Sequence, residues 1–225
     1  MHRLVIYDMD KTITRKATYT AFLVHMALQL APWRLLLAPV SAVFTLGYLL
    51  KMISRSRLKE LNQALFIGSS VSLEKLQPHI QSYADKVLAD NIQPGALRQI
   101  VVDKDAGCTL MMATASYELY VHAIAKRLGF DVVLGTKLMI DAQGRVRAQI
   151  NGDNCYAEAK LARITAWQQD TMNGTQPLEI IRTYSDHVSD VPMLLLGSEA
   201  MAVNPHKPLA DYAQAQGWRI VDWSH

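Results

Sequence analysis

Apolar residues fall along this chain into short runs that end in polar turns, alternating with longer amphipathic stretches. Leu4-Val5-Ile6-Tyr7, Cys108 to Ala113 and Ile180 to Tyr184 read as buried strands, and Asp131 to Leu134, Ala200 to Val203 and Trp218 to Val221 as shorter ones. Between them, Tyr117 to Leu128 has a helical pattern with Gly129 as its stop, and Tyr156-Ala157-Glu158 opens another helix. Lys137 to Ile140 and Arg145 to Ile150 flank Asp141-Ala142-Gln143-Gly144, a hairpin signal with glycine in the turn. Strand runs alternating with helices predict an α/β fold with an open parallel sheet.

Residues 16–93 depart from that pattern and read as an entirely helical insert. From Ala17 to Trp33, and again from Leu35 to Leu50, there is no Asp, Glu, Lys or Arg; Arg34 separates the two runs, and Lys51, Arg55, Arg57 and Lys59 follow. Pro32 and Pro39 break or kink any helix through this region. A helix hydrophobic all round is often simply core. A straight helix over residues 35–50 would be only about 24 Å long, against a bilayer interior of about 30 Å. The insert is too small to hide two such helices completely, so exposed apolar surface beside a basic cluster predicts peripheral contact with anionic lipid rather than a span. The expected organisation is a core of residues 1–15 and 94–225 with a cap of residues 16–93.

Composition narrows the class. The 225 residues are 50% hydrophobic and 19% charged, as in a globular protein of one core domain and a smaller one. A net charge of +3 is too mild to indicate a nucleic-acid partner. Two cysteines, Cys108 and Cys155, make no disulfide framework and fit a reducing cytoplasm. The first residues form a strand rather than a basic-then-apolar leader, so no cleavable signal is expected.

Candidate chemistry gathers where the strand runs end. Asp8 and Asp10 follow the first, Thr114 and Ser116 the second, and Asp186 and Asp190 the third, with Lys160 between the last two. Carboxylates one residue apart at a strand end suit a metal ion and a phosphate together, although Asp-x-Asp is also a common turn. Ser116 could instead cap the following helix, Asp190 could cap a helix starting at Val191-Pro192, and Lys160 alone would pass for a surface lysine. His187 lies in a loop with no convergent His/Cys set that would call for zinc.

With all four groups present in this order from about Leu4 to about Asn204, the chain resembles the haloacid dehalogenase-like phosphatases. The nearest subfamily is the one that includes phosphoserine and phosphatidylglycerophosphate phosphatases. The resemblance implies a Rossmann-like core with a helical cap that closes over the site. It implies Asp8 as nucleophile forming an aspartyl-phosphate, and Asp10 as general acid and then base. Thr114, with Ser116 as its competitor, and Lys160 would hold the phosphoryl oxygens. Mg²⁺ would be bound by Asp8, the Asp10 carbonyl and Asp186, with Asp190 either near the metal or holding Lys160. Phosphoserine phosphatases carry a cap glutamate soon after the first motif; here no acidic residue occurs between Asp10 and Glu60, which counts against phosphoserine. The expected substrate is a lipid or amphiphilic phosphomonoester, handled in the cytoplasm or at the inner membrane face. The alternative is a small phosphorylated metabolite, and a noncatalytic phosphate-binding or partner-binding protein is the third reading.

Overall fold

The computed structural model describes residues 2–172 and 178–225. Strand β1 (His2–Tyr7) lies in the middle of a six-stranded parallel sheet and is completely buried from Leu4 to Tyr7. A strand flanked on both sides and covered on both faces must be apolar at successive positions, not alternate ones. The chain then forms a π-helical turn (Met9–Ile13), helix α1 (Tyr19–Leu30), a 3₁₀ segment (Pro32–Leu37), α2 (Ala38–Leu49) and α3 (Arg55–Phe66). Strand β2 (Ser70–Ser72) and α4 (Leu73–Asp90) close the insert.

The core resumes with α5 (Pro94–Asp105), β3 (Thr109–Tyr117), α6 (Glu118–Leu128) and β4 (Val132–Thr136). Gly129 ends α6 with φ of 77°, the left-handed conformation that glycine adopts without a steric penalty. The hairpin strands β5 (Leu138–Ile140) and β6 (Arg145–Ile150) follow, then α7 (Glu158–Met172) and β7 (Leu178–Ser185). A short 3₁₀ turn (Val188–Asp190), α8 (Val191–Leu194), β8 (Glu199–Val203), α9 (Lys207–Gln216) and β9 (Arg219–Val221) complete the chain.

The large sheet has the order β4-β3-β1-β7-β8-β9, with every pairing parallel. The chain runs from β1 to β3 on one side and from β7 to β8 on the other, so the connections diverge at the C-terminal ends of β1 and β7, where open α/β sheets bind ligands. The predicted hairpin gains a third strand: Ser70–Ser72 pairs antiparallel with Arg145–Arg147, so the otherwise helical insert contributes one strand to the small sheet. Val71 packs on the main core at that seam, which favours an extended segment where flanking serines supply little helical preference.

The cap is anchored by aromatic packing. Phe22 of α1 stacks on Tyr120 of α6 at 4.3 Å and meets Tyr83 of α4 edge-on at 5.3 Å. The Tyr83 hydroxyl donates to the Thr18 carbonyl at 2.6 Å. By contrast, neither the 3₁₀ segment nor α2 contains a buried residue.

Candidate active site

β1 delivers Asp8 to its C-terminal end, where the Asp8 amide donates to the Tyr184 carbonyl of β7. The π-helical turn then redirects the chain. It is closed by the Thr14 amide donating to the Met9 carbonyl at 3.0 Å, and Lys11 takes φ of 65° at its apex. This turn, not strand alternation, brings Asp8 and Asp10 to one cleft.

Each carboxylate is held from two directions. Lys160 Nζ donates to Asp8 Oδ1 at 2.8 Å, and the Thr12 hydroxyl lies 3.0 Å from Asp8 Oδ2. Asp10 Oδ2 accepts from the Ser116 hydroxyl at 2.6 Å. Asp10 Oδ1 accepts from the Thr18 amide at 2.7 Å and sits 2.8 Å from the Thr18 hydroxyl. Ser116 therefore binds the second carboxylate instead of capping α6, whose N-terminus has no side-chain cap. Thr114 is buried, and its hydroxyl accepts from the Ser116 amide at 3.1 Å.

Lys160 is buried in the first turn of α7, and Nζ also donates to Asp190 Oδ2 at 2.8 Å. The Ser185 hydroxyl donates to the same Asp190 oxygen, and Asp190 does not cap α8 through its side chain. The contact with Lys160 is the one that one of the two expected placements of Asp190 requires. Asp186 lies on the other side of Thr12: its amide donates to the Thr12 hydroxyl at 3.0 Å, and its Oδ1 is 3.4 Å from that hydroxyl. His187 stacks flat on His206 at 4.1 Å, and His206 Nδ1 lies 2.9 Å from the Asp186 carbonyl.

The charge balance is lopsided. Burial raises the pKa of Asp8, and the neighbouring Asp190 and Asp186 add to the rise while Lys160 opposes it. Burial, then Asp190, push Asp186 up to about 6. Burial works against the charge on Lys160, but Asp190 and Asp8 outweigh it and hold the pKa above the usual lysine range. Three buried carboxylates around one ammonium leave the site short of positive charge. The donor set, Asp8 and Asp186 oxygens flanking Thr12, fits a hard divalent cation such as Mg²⁺. Among the described residues no three His, Cys, Asp or Glu side chains form a metal-holding group. A site with two carboxylates would thus depend on the Asp10 carbonyl and water for its other ligands.

The cleft has a volume of about 770 Å³ and is bounded by core and cap alike. Leu35, Ala38, Ser41, Thr45 and Tyr48 line it from the insert, as do Arg55 and Lys59 of α3. Lys59 is a site feature that sequence reasoning passed over. Its buried Nζ donates to the Ala115 carbonyl at 2.6 Å and to Asn154 Oδ1 at 2.7 Å, tying the cap to the end of β3 that carries Thr114 and Ser116. The signal was present: Lys59, Asn62, Gln63 and Phe66 recur at helical spacing and form the buried face of α3. Thr12 and Thr18 were also missed: besides Asp8 and Asp10, four and eight positions away, their partners are Asp186, Ser116 and Tyr120, all far away in sequence.

The model of the haloacid dehalogenase-like hydrolase family matches residues 5–195. The histidinol-phosphatase of Neisseria meningitidis serogroup C is 24% identical over 152 residues, covering 68% of this chain and 68% of that one. The phosphoserine phosphatase SerB1 of Mycobacterium tuberculosis is 32% identical over 141 residues, covering 62% of this chain but only 44% of SerB1. A protein of unknown function from Bordetella pertussis Tohama I has the same fold over 99% of both chains, with a TM-score of 0.85 at 21% identity. A phosphoserine phosphatase solved as a phospho-aspartyl intermediate analogue is similar over 100% of this chain and 94% of that one, with a TM-score of 0.60 at 14% identity.

Proposed function

The chain belongs to the haloacid dehalogenase-like hydrolase family and is a phosphoric monoester hydrolase; we propose that Asp8 is its nucleophile and that its substrates are small phosphorylated metabolites. The observation that carries this reading is the pairing at the end of β1. Asp8 is held by Lys160 and Thr12, while Asp10, one residue on, is held separately by Ser116 and Thr18. Two carboxylates with different partners can take different roles in one reaction.

In the first half-reaction an Asp8 oxygen attacks phosphorus and the ester oxygen leaves, giving an acyl phosphate on Asp8. Asp10 faces the cap side of the cleft and delivers a proton to the departing alkoxide. In the second half-reaction Asp10 takes a proton from water, whose oxygen attacks the phosphorus, and Asp8 is released. Lys160 and the Thr114 hydroxyl stabilise charge on the phosphoryl oxygens, and Asp190 holds Lys160 against Asp8. Asp8, Asp186 and the Asp10 carbonyl would hold Mg²⁺, which would supply positive charge to offset the repulsion between an anionic nucleophile and an anionic ester.

The small-metabolite reading draws support from the relatives named as histidinol-phosphatase and phosphoserine phosphatase. One observation favours the second reading, an amphiphilic phosphate: the wall of the cleft formed by α2 is apolar on its outer side. Phosphate release from a panel of small esters and a lipid phosphomonoester in mixed micelles distinguishes the two. Asp8→Asn tests the mechanism. It keeps the shape of the site, so the variant should fold and lose turnover on every ester; retained turnover would remove Asp8 from its role.

A further inference from the structure

Helix α2 and the 3₁₀ segment before it carry apolar residues on their outer side as well as their inner one. On a soluble cap, the apolar side of a helix turns inward and the polar side meets water. Here Leu35, Ala38, Ser41, Thr45 and Tyr48 line the catalytic cleft, and the Ser41 hydroxyl donates inward to Asn62 Oδ1 at 2.9 Å. Leu36, Val43, Leu46, Leu49 and Leu50 face outward, 54–81% exposed. With Val40, 40% exposed, the residues from Leu36 to Leu49 recur every three or four positions and make one stripe, which Trp33 and Met52 extend at 60% and 76% exposure. None of the 18 residues from Pro32 to Leu49 is buried. Scattered surface leucines are ordinary, but a continuous stripe of this length marks an interaction surface.

Charge and geometry say what covers it. No acidic residue occurs between Asp10 and Glu60, whereas Lys51, Arg55 and Arg57 follow the stripe directly. By length and composition the stretch could cross a membrane, yet its flanks rule out a single crossing. Asp8 before it and Thr114 after it line the same cleft. The α-helical part, Ala38–Leu49, is about 18 Å long, well short of a bilayer interior of about 30 Å. An apolar stripe bordered by cations and lying along the surface suits the interface of an anionic bilayer. We propose that the outward face of the 3₁₀ segment and α2 docks on anionic membrane lipid, so that the wall of the catalytic cleft is itself the membrane-contacting element. This holds whatever ester the cleft takes.

Sedimentation of the full chain with phosphatidylcholine vesicles, and with vesicles that also contain phosphatidylglycerol, tests this. The wild type should pellet with the anionic vesicles, and raised salt should weaken the association. The Leu36→Ser/Val43→Ser/Leu49→Ser variant should weaken partitioning on the order of tenfold, as should Lys51→Gln/Arg57→Gln. All these side chains are exposed, so both variants should keep the wild-type melt and hydrolyse a soluble aryl phosphate. Wild-type protein that stays in the supernatant with both vesicle types would overturn the proposal. So would pelleting that neither variant changes. A dimer in light scattering that the triple-serine variant converts to monomer would assign the stripe to a second copy of this chain and equally overturn it.

Discussion

Lys160 lies 152 positions from Asp8 in sequence, yet its Nζ donates to the Asp8 carboxylate at 2.8 Å inside the buried floor of the cleft. The ammonium is shared with Asp190, so it counters two carboxylates at once. Lys160→Met should lower kcat/KM on the order of a hundred- to a thousandfold by removing fixed charge from the transferring phosphoryl group. It should also cost about 3–5 kcal/mol of stability at neutral pH, because Asp8 and Asp190 then face each other unpaired. That deficit should shrink at acid pH. Carboxylates whose folded pKa is raised contribute stability below their unfolded pKa and lose it as pH rises. Denaturant unfolding of both proteins at acid and neutral pH checks the sign; a deficit independent of pH would exclude the charge explanation.

Asp10 is held by Ser116 and Thr18 and not by the lysine, so in the proposed reaction proton transfer is separate from nucleophilic attack. Asp10→Asn keeps an oxygen for the Thr18 amide but has no proton to exchange. Alkyl phosphates, whose alkoxide leaves poorly without a proton, should lose on the order of a hundred- to ten-thousandfold in turnover. An aryl phosphate with an acidic phenol should lose less in the first step and accumulate phosphorylated enzyme, visible by intact-mass spectrometry. Equal losses on both esters with no accumulation would assign Asp10 a role other than acid and base.

Much of this arrangement was legible because strand ends and turns are local. The apolar run Leu4–Tyr7 followed by Asp8 fixes where the first carboxylate emerges, and the hairpin announced by Gly144 forms at its expected place. Partners that depend on long-range packing were not legible. Ser116 can cap a helix or bind Asp10, and only the position of the first motif beside β3 decides between them. The contact between Asp190 and Lys160 likewise depends on where α7 packs. Lys59 was hidden because a single lysine reads as solvated until its helix face is known to be buried. For α2 the apolar composition was plain, but whether it faced the core or the outside depended on what packed against it.

Removing divalent metal should abolish turnover, since Asp8 and Asp186 would then present uncompensated charge to an anionic ester. Adding Mg²⁺ back should restore activity and raise the melting temperature, because a ligand that binds only the folded state stabilises it by mass action. The stabilisation should fall as pH drops through about 6, where Asp186 takes up a proton and competes with the ion. Asp186→Asn should remove most of the Mg²⁺-dependent shift in melting temperature. A wild-type shift that the variant retains in full would put the ion elsewhere.

Lys59 gives a stability signature that no catalytic role is needed to read. Its ammonium lies between the rings of Tyr19 and Tyr117, 5.3 and 5.4 Å from their centres, and its hydrogen-bond partners are neutral oxygens. Burial, reinforced by Arg55, lowers its pKa from 10.5 to about 7. Between those values the unfolded chain binds a proton that the folded protein lacks, so this group makes stability rise with pH from about 7 to about 10.5. Below about 7 both states hold the proton and the contribution is flat. Lys59→Met keeps the buried stem and removes the titration, while Thr136 still reaches Asn154 at 3.0 Å. Relative to the variant, the wild type should gain about 1.4 kcal/mol per pH unit across that window, the linkage slope for one proton. Unfolding free energies measured from pH 6 to pH 10 read this difference directly. Parallel curves for the two proteins would mean that Lys59 stays charged in the folded state throughout.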